Sequence, residues 1–254
     1  MYTKAIVRKP GRNFHEGNTT ASSGKPDFYK ALGQHGMYCD VLRQCGLDVT
    51  ILEADEKYPD GCFVEDTAII TEKIAVITRP GVKSRQGEEA EIAQILSSLI
   101  KTETIKSTGT LDGGDVMRVD NHFLIGISGR TNRDGSRRLC QVLSEYGYSS
   151  SEIIVGPGLH LKTGVTYMDR SNFIAPREFA LKIAGKFPDS NIILVDKDEA
   201  YAANCLLIND FLLMPAGFPK TKRKIAGYGY RIIEVDVSEF RKMDGGLTCL
   251  SLLF

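Results

Sequence analysis

The sequence predicts an α/β protein made of five repeated units, each with two strands, a helix and a third strand. A pattern of hairpin, helix and strand recurs four times, and its hairpins open near residues 68, 116, 165 and 205. Steps of about 40 to 50 residues are typical of a repeated supersecondary unit. A first strand at 4–9 and a final strand at 248–254 can supply the fifth unit. The five units then close into a ring without an open end.

Local patterns justify the elements in chain order. The first unit has a strand at 4–9, a loop rich in Ser, Thr, Gly and Asn at 12–26, a helix at 27–45 with Asp27 as its N-cap, and a strand at 48–52. The later hairpins pair 68–70 with 74–77, 116–119 with 122–125, 165–168 with 172–175, and 205–208 with 211–214. Helical periodicity follows each hairpin, at 88–100, 132–146, 178–187 and 220–228. Each of these units ends in a short strand, at 103–105, 152–155, 192–195 and 231–235.

Length and charge limit the class of protein. A chain of 254 residues with 42% hydrophobic content can bury the core of a single domain that spans 1–254. Its 32 Lys and Arg balance 32 Asp and Glu, so no net field attracts nucleic acid or an anionic membrane. No apolar run is long enough to span a bilayer, and Met1–Val7 lacks the apolar stretch of a secretory signal. We therefore expect a cytoplasmic protein with a small-molecule ligand, and we hypothesise a homodimer.

The cysteines are expected to be reduced thiols. The chain has six, at positions 39, 45, 62, 140, 205 and 249, and none has CxxC spacing. A chain of this size does not need disulfides for stability, and a structural zinc site is not expected.

Cys249 is the candidate nucleophile. It follows Asp244-Gly245-Gly246, where two glycines admit an unusual turn, and it begins a short apolar strand. The alternative is that Cys249 is a small buried hydrophobe, the common fate of an unpaired cysteine. Its place in the repeat favours the nucleophile. Polar or reactive residues recur just before or at each hairpin, namely Glu65 and Asp66, Asp112 and Asp115, His160, Asn204 and Cys249. Equivalent positions in a ring of five units would point into one central cavity.

His160 is the predicted partner of Cys249. A thiol attacks as its thiolate, and a histidine or a bound cation lowers the thiol pKa. Of four histidines, only His160 occupies a repeat-equivalent position. Asp112 is the carboxylate predicted to orient the imidazole, and Asp115 is its rival, although Gly113-Gly114-Asp115 is also compatible with a simple turn.

Glu65 and Asp66 are candidates for holding a planar cation, because paired carboxylates accept the parallel N–H groups of a guanidinium. Alternatively, neighbours in a strand point to opposite faces, and the two acids then have no joint role. A thiolate surrounded by acids suits an electrophile that is itself a cation, such as the carbon of a guanidinium. Arg85 and Arg130 lie 17 and 14 residues after the openings of the first two hairpins, and both could bind a carboxylate. Together these residues indicate an α-amino acid that carries a guanidino group.

The chain resembles the dimethylarginine dimethylaminohydrolases, a family of the guanidine-modifying superfamily with the pentein fold, a five-bladed α/β propeller. The resemblance covers essentially the whole chain. It rests on Phe63-Val64-Glu65-Asp66, Thr78-Arg79-Pro80-Gly81, Leu111-Asp112-Gly113-Gly114-Asp115, Arg130-Thr131-Asn132, Leu159-His160-Leu161-Lys162, Ala202-Ala203-Asn204-Cys205 and the Asp-Gly-Gly cysteine ending.

The resemblance implies a cysteine nucleophile, a histidine acid and base, acids on the guanidinium and arginines on the substrate carboxylate. These roles are carried here by Cys249, His160 with Asp112, Glu65 with Asp66, and Arg85 with Arg130. It also implies that Asp60 and Phe63 line the pocket. The family's flexible lid often presents a leucine, whereas the corresponding stretch near Gly17-Asn18-Thr19 carries Asn18.

The resulting expectation is hydrolysis of Nω-methylated L-arginine to L-citrulline and methylamine or dimethylamine through a covalent thiouronium adduct. No metal or organic cofactor is required, and zinc bound by Cys249 and His160 would inhibit. The alternatives are an arginine deiminase-like hydrolase that releases ammonia, an amidino transferase, and a catalytically idle module that senses arginine.

Overall fold

The computed structural model describes residues 1–156 and 160–254, which fold into a five-bladed α/β propeller. The strands are β1 (Lys4–Arg8), β2 (Asp48–Leu52), β3 (Ala68–Ile70), β4 (Ala75–Ile77), β5 (Thr102–Thr104), β6 (Val116–Val119), β7 (His122–Ile127), β8 (Ser149–Ile154), β9 (Thr166–Tyr167), β10 (Asn172–Pro176), β11 (Asn191–Val195), β12 (Leu206–Ile208), β13 (Phe211–Pro215), β14 (Arg231–Val235) and β15 (Leu252–Leu253). The α-helices are α1 (Phe28–Gln44), α2 (Ala90–Ser97), α3 (Arg133–Glu145), α4 (Leu161–Gly164), α5 (Arg177–Lys186), α6 (Pro219–Ala226) and α7 (Ser238–Arg241). Within these described ranges no helix has the length and apolarity needed to cross a membrane.

Each blade is a three-stranded sheet with the same topology. A central strand pairs antiparallel with one neighbour and parallel with the other, as β4 does with β3 and β5. The sheet orders are β15-β1-β2, β3-β4-β5, β6-β7-β8, β9-β10-β11 and β12-β13-β14. The first of these sheets joins both ends of the chain, because β1 pairs antiparallel with β15 at Ile6 and Leu252. The predicted repeat and its completion by the two chain ends are therefore confirmed.

Alternation of side chains along the central strands explains why the sheets form a ring. Successive residues of a strand point to opposite faces, and in each central strand both faces are covered. On β13, Leu212 packs into the core shared with the β9–β11 sheet, while Leu213 packs into the core shared with the β1 sheet. On β1, Ala5 joins that same core, and Ile6 faces the β3–β5 sheet. The described residues form five such cores, each between two adjacent sheets.

The boundaries of the elements mostly match the predicted ones. Asp27 caps α1 as expected, with its side chain accepting a hydrogen bond of 2.8 Å from the backbone N–H of Lys30. The second predicted helix was too long at both ends, since α2 covers only Ala90–Ser97. The last strand is also shorter than predicted, because Thr248–Leu250 form a 3₁₀ turn and only Leu252–Leu253 pair with β1.

The predicted role of the two glycines before Cys249 needs correction. The residue with a positive φ is Asp244, at 59°, and neither glycine has one. The glycines are required by close packing instead. A Cβ on Gly245 would lie 2.3 Å from the Phe63 ring, and a Cβ on Gly246 would lie 2.4 Å from Oδ1 of Asn204.

A short helical turn precedes the first strand of every blade. These turns, which we call the central turns, are Val64–Thr67, Gly113–Asp115, α4, Lys197–Ala203 and Thr248–Leu250. Side chains of or next to the turns connect them to one another. Asp66 accepts the N–H of Gly114, Asp115 accepts the N–H of Leu161, and Thr248 donates to Glu65. The central turns therefore surround the axis of the propeller, where the repeat predicted a common cavity.

Candidate active site

One pocket at the central turns contains most of the predicted site residues. Eight of the ten predicted residues line it, namely Asn18, Asp60, Phe63, Asp66, Arg85, Arg130, His160 and Cys249. Met243, Asp244 and Gly245 complete the lining, and motif analysis had not assigned them to the site. Asp112 and Glu65 are the two predicted residues outside the lining. The cavity volume is about 20 Å³, which is room for roughly one water molecule.

Cys249 lies in the middle of the last central turn and is half-buried. Burial raises the pKa of its thiol to about 12, and the carboxylates of Glu65 and Asp66 act in the same direction. The thiol therefore keeps its proton at neutral pH until a positive charge arrives nearby. The alternative that Cys249 is sealed in a core is wrong, because it lines the same pocket as His160.

His160 is buried at the start of α4, with Nε2 2.9 Å from Oδ2 of Asp112 and 3.8 Å from Oδ1 of Asp66. Burial alone would lower its pKa, but Asp66, Asp112 and Asp115 outweigh burial and raise the pKa to about 9. Asp112 is itself held, because its Oδ1 accepts the N–H of Gly81 at 2.8 Å. The imidazole is thus protonated at neutral pH and firmly oriented.

Asp115, the rival for this role, has a different position. Its Oδ1 accepts the N–H of Leu161 at 2.9 Å, and its Oδ2 accepts a hydrogen bond of 2.6 Å from the hydroxyl of Ser128. Asp115 therefore fixes the backbone immediately after His160, whereas Asp112 contacts the ring. Leu159, which precedes His160 in the recognised motif, lies outside the described residues.

Asp66 faces the pocket with both oxygens engaged. Oδ2 accepts a hydrogen bond of 2.6 Å from Nη1 of Arg85, and Oδ1 accepts the N–H of Gly114 at 2.8 Å. Burial raises its pKa, but the charges of His160 and Arg85 outweigh burial and hold the pKa below its usual range. Asp66 is therefore an ionised carboxylate at neutral pH.

Glu65 and Asp66 line different cavities, so the structure does not bring the two acids together at one place. Its Oε1 lies 2.6 Å from Nζ of Lys162, and its Oε2 accepts a hydrogen bond of 2.9 Å from the hydroxyl of Thr248. Glu65 lines a second cavity, of about 190 Å³, rather than the pocket that holds His160. The turn Val64–Thr67 sends the two acids in different directions.

The two arginines both line the pocket but have different partners, and their expected contact with a substrate carboxylate stays a prediction. Arg85 is buried and already paired: Nη2 donates to the carbonyl of Phe63 at 3.1 Å and to the carboxylate of Glu88, while Nη1 binds Asp66. Glu88 was not a predicted site residue. Burial raises the pKa of Glu88 to about 7, even though Arg85 opposes this shift.

Each arginine keeps one buried N–H donor that has no hydrogen-bond partner among residues 1–156 and 160–254, namely Nε of Arg85 and Nη1 of Arg130. A buried guanidinium N–H without a partner is costly, so such a donor is suited to an anionic ligand group.

The loop at 12–26 forms one wall of the pocket. Hydrogen bonds hold it to Asp60 on one side and to Asp244 on the other. The side-chain amide of Asn18 donates to Asp60 at 2.6 Å, and its backbone N–H also reaches the Asp60 carboxylate. On the other side, the N–H of Thr20 donates to Oδ2 of Asp244 at 2.5 Å, and the Thr19 hydroxyl reaches the same oxygen. The loop that corresponds to the family's lid therefore contributes Asn18 to the pocket that also contains Cys249.

The side chain of Phe63 also lines the pocket. Its ring packs edge-on against the rings of Phe14 and Phe240, with centroids 5.8 Å and 6.4 Å away. This aromatic cluster holds the segment that precedes Asp66 and leaves room for Gly245 only because that residue has no side chain.

The carboxylate oxygens of the site are poorly available as metal ligands. Among the described residues, Asp66, Asp112 and His160 form the one group of suitable ligands close enough together. All four carboxylate oxygens already accept hydrogen bonds or contact the imidazole. We assign no metal to this group, and the expectation of cofactor-free chemistry stays a prediction.

The propeller and its central cysteine, histidine and carboxylates define the class: the chain is a guanidine-modifying protein of the pentein fold. Sequence and structure comparisons then identify the family. The family profile described as N,N dimethylarginine dimethylhydrolase, eukaryotic, matches residues 13–171. The N(G),N(G)-dimethylarginine dimethylaminohydrolase of Pseudomonas aeruginosa is 45% identical over 256 aligned residues, which cover 100% of both chains. The chain belongs to the dimethylarginine dimethylaminohydrolase family.

Two solved structures support this assignment. The Pseudomonas aeruginosa protein, as a cysteine-to-serine variant in complex with citrulline, matches with a TM-score of 0.97 at 45% identity over 100% of both chains. A histidine-to-glycine variant of a dimethylarginine dimethylaminohydrolase, present as an adduct with S-methyl-L-thiocitrulline, matches with the same score, identity and coverage.

Proposed function

We propose that the protein hydrolyses Nω-methylated L-arginine to L-citrulline and methylamine or dimethylamine. The observation that carries the proposal is the set of side chains that meet in one pocket. Cys249 and His160 line it together with the carboxylates of Asp60, Asp66 and Asp244 and the guanidinium groups of Arg85 and Arg130. This lining suits an amino acid whose guanidinium binds carboxylates, whose carboxylate binds an arginine, and whose guanidinium carbon is the electrophile.

Binding of the substrate cation activates the nucleophile. The positive charge next to Cys249 offsets the effect of Glu65 and Asp66, so the thiol pKa falls and the proton passes to solvent. The sulfur then bonds to the guanidinium carbon. As the bond from this carbon to the methylated nitrogen breaks, His160 donates its proton to the departing amine. The product of this half-reaction is a covalent thiouronium adduct on Cys249.

Water completes the reaction. His160, now neutral, takes a proton from a water molecule whose oxygen attacks the same carbon. The carbon–sulfur bond then breaks, the departing Cys249 sulfur takes up the proton that the hydroxyl on this carbon loses, and neutral citrulline and the Cys249 thiol form. Asp112 stabilises the imidazolium in each half-reaction through its contact of 2.9 Å. The relatives trapped with citrulline and as a thiocitrulline adduct support both a citrulline product and covalent chemistry.

The remaining pocket residues recognise the amino acid. Arg130 has a buried donor to offer the substrate carboxylate. Arg85 instead holds Asp66 in place, and Asp66 and Asp60 are the carboxylates that face the positive groups of the substrate. Phe63 supplies an apolar wall for the aliphatic chain.

The direct test supplies asymmetric dimethylarginine to the purified protein and measures citrulline, dimethylamine and a protein adduct by mass spectrometry. We expect all three with the wild type and none with Cys249→Ser, which retains the fold but lacks a competent nucleophile. Turnover by Cys249→Ser would contradict the mechanism.

A substrate panel separates the other candidate activities. Faster ammonia release from unmethylated arginine would indicate a deiminase. Dependence of turnover on an acceptor amine would indicate an amidino transferase. Thermal stabilisation by dimethylarginine without citrulline would indicate a sensing module.

We further propose a single catalytic domain of residues 1–254 in a reducing compartment such as the cytoplasm. All six cysteines are free thiols, which supports such a location because Cys249 must remain a thiol to react. A homodimer remains a hypothesis that size-exclusion chromatography with light scattering can test.

A further inference from the structure

The central turn that carries Cys249 is held by a side chain that the reaction scheme does not use. Thr248, next to Cys249, is buried, and its N–H donates to Oδ1 of Asn204 at 3.2 Å. Its hydroxyl accepts a hydrogen bond of 3.1 Å from Nδ2 of the same Asn204 and donates to Glu65 at 2.9 Å. Asn204 thus holds the backbone and the side chain of Thr248 at once.

The same asparagine also reaches the segment that carries the imidazole. Nδ2 of Asn204 donates to the carbonyl of Lys162 at 2.8 Å, two residues after His160. A single amide therefore connects the turn of Cys249 to the turn that follows His160. Cys249 and His160 are 89 residues apart in sequence, and the Asn204 amide connects the segments that carry them.

Packing makes the bridge stiff. Asn204 is only 4% exposed, and a Cβ on Gly246 would lie 2.4 Å from its Oδ1. Burial and the carboxylates of Glu65 and Asp66 raise the pKa of Cys249, and the backbone N–H of Gly246 acts in the opposite direction. A shift of Asn204 would therefore move both the sulfur and the N–H that stabilises its charge.

We propose that Asn204 is a positioning residue, which sets the geometry between the Cys249 sulfur and the His160 imidazole by binding both of their turns. This inference rests on the proposed hydrolysis. Asn204 touches no reacting atom. Its effect falls on the chemical step, because misplacing a reacting group by about 1 Å can cost a hundredfold in rate.

The test compares Asn204→Ala with Asn209→Ala. Asn209 is a matched control, because its amide also accepts one backbone N–H, from Tyr2, and donates to two carbonyls, those of Tyr2 and Cys45, outside the pocket. We expect Asn204→Ala to lower kcat by about tenfold to a hundredfold while KM changes by less than about threefold. Asn209→Ala should keep both constants near those of the wild type.

A second readout needs no substrate. Alkylation of Cys249 by iodoacetamide, followed on its own peptide by mass spectrometry, reports the titration of the thiol. With Asn204→Ala the alkylation profile should move to higher pH, because the thiolate loses the fixed N–H of Gly246. A purely structural role would leave this profile unchanged.

Substitutions at Thr248 provide an independent test of the same proposal. Thr248→Val removes the hydroxyl that Asn204 and Glu65 bind, and Thr248→Ser restores it. Thr71→Val is the control, since it removes a buried hydroxyl that likewise bonds to its surroundings, within the first hairpin turn. We expect a loss of kcat with Thr248→Val, recovery with Thr248→Ser, and no loss with Thr71→Val.

The outcomes separate the inference from the proposed function. If the wild type releases no citrulline, the proposed function fails, and the alkylation profiles alone decide the inference. If kcat and the alkylation profile of Asn204→Ala equal those of Asn209→Ala, Asn204 has no positioning role, whatever the substrate is.

Discussion

At the scale of single residues, charge balance decides what the site can do. Three carboxylates lie near His160 and two lie near Cys249. Both groups are protonated at neutral pH, which makes His160 a cation and leaves Cys249 a neutral thiol. Burial and the carboxylates both raise the pKa of the thiol, whereas at His160 the carboxylates outweigh burial and favour the imidazolium. At neutral pH the apo thiol is therefore a thiolate in only a small fraction of molecules, and this fraction rises when a cation binds.

The raised pKa of His160 predicts a pH-dependent contribution to stability. In the folded protein the pKa is about 9, above the ordinary value of 6.5, so this contribution is fully present below pH 6.5 and disappears as the pH rises through 9. His160→Gln removes it. We expect the difference in unfolding free energy between wild type and variant to fall by on the order of 3 kcal/mol between about pH 6 and pH 9.5.

Urea denaturation of both proteins at the two pH values provides the measurement. Taking the difference between them cancels groups that titrate equally in both proteins. A difference that stays constant with pH would mean that His160 is not charged in the folded state.

At the scale of elements, the central turns and the lid determine access to Cys249. The lid at 12–26 is fastened to Asp60 on one wall and to Asp244 on the other, and the cavity has room for roughly one water molecule. This volume is too small for an amino acid, and we therefore expect the lid to open before the substrate binds.

Removing hydrogen bonds between the lid and Asp244 should increase the rate at which a reagent reaches the Cys249 thiol. The hydroxyls of Thr19 and Thr20 both donate to Asp244 without lining the pocket. In a Thr19→Val, Thr20→Val double variant, the loss of about 1 kcal/mol of hydrogen bonding should raise the alkylation rate of Cys249 about fivefold at constant pH.

Thr104→Val, on the exposed surface of β5, is the control and should leave the rate unchanged. Equal rates in the double variant and the wild type would show that the lid is already open in solution.

The elements were largely predictable from sequence, and the site only in part. Period-2 apolar alternation and turn residues predicted the hairpins because these signals are local. The direction of Glu65 was not predictable, since it depends on a 3₁₀ turn and on partners such as Thr248, 183 residues away. Glu88 and the bridging bonds of Asn204 were missed for the same reason, because no motif records which distant group a polar side chain will meet.

At the scale of the whole molecule, the ring makes the blades depend on one another. Each central strand contributes one residue to one core and the next residue to another, as Leu212 and Leu213 do. Opening any core therefore uncovers apolar side chains of both adjacent sheets. Because no sheet is at the end of a row, no blade can separate without exposing two cores to water.

This arrangement predicts that a destabilising substitution in one core also lowers the unfolding midpoint of a core that it does not contact. Leu139 lies in the core between the second and third sheets, and Cys205 lies in the core between the fourth and fifth. Leu139→Ala should cost about 2–5 kcal/mol. In urea, the midpoint of Cys205 exposure, followed by thiol labelling and mass spectrometry, should fall together with the midpoint of the circular dichroism signal. Leu99→Ala, at an exposed leucine, should move neither midpoint. If Leu139→Ala lowered the circular dichroism midpoint but left that of Cys205 unchanged, the blades would unfold separately and the closed ring would not act as one cooperative unit.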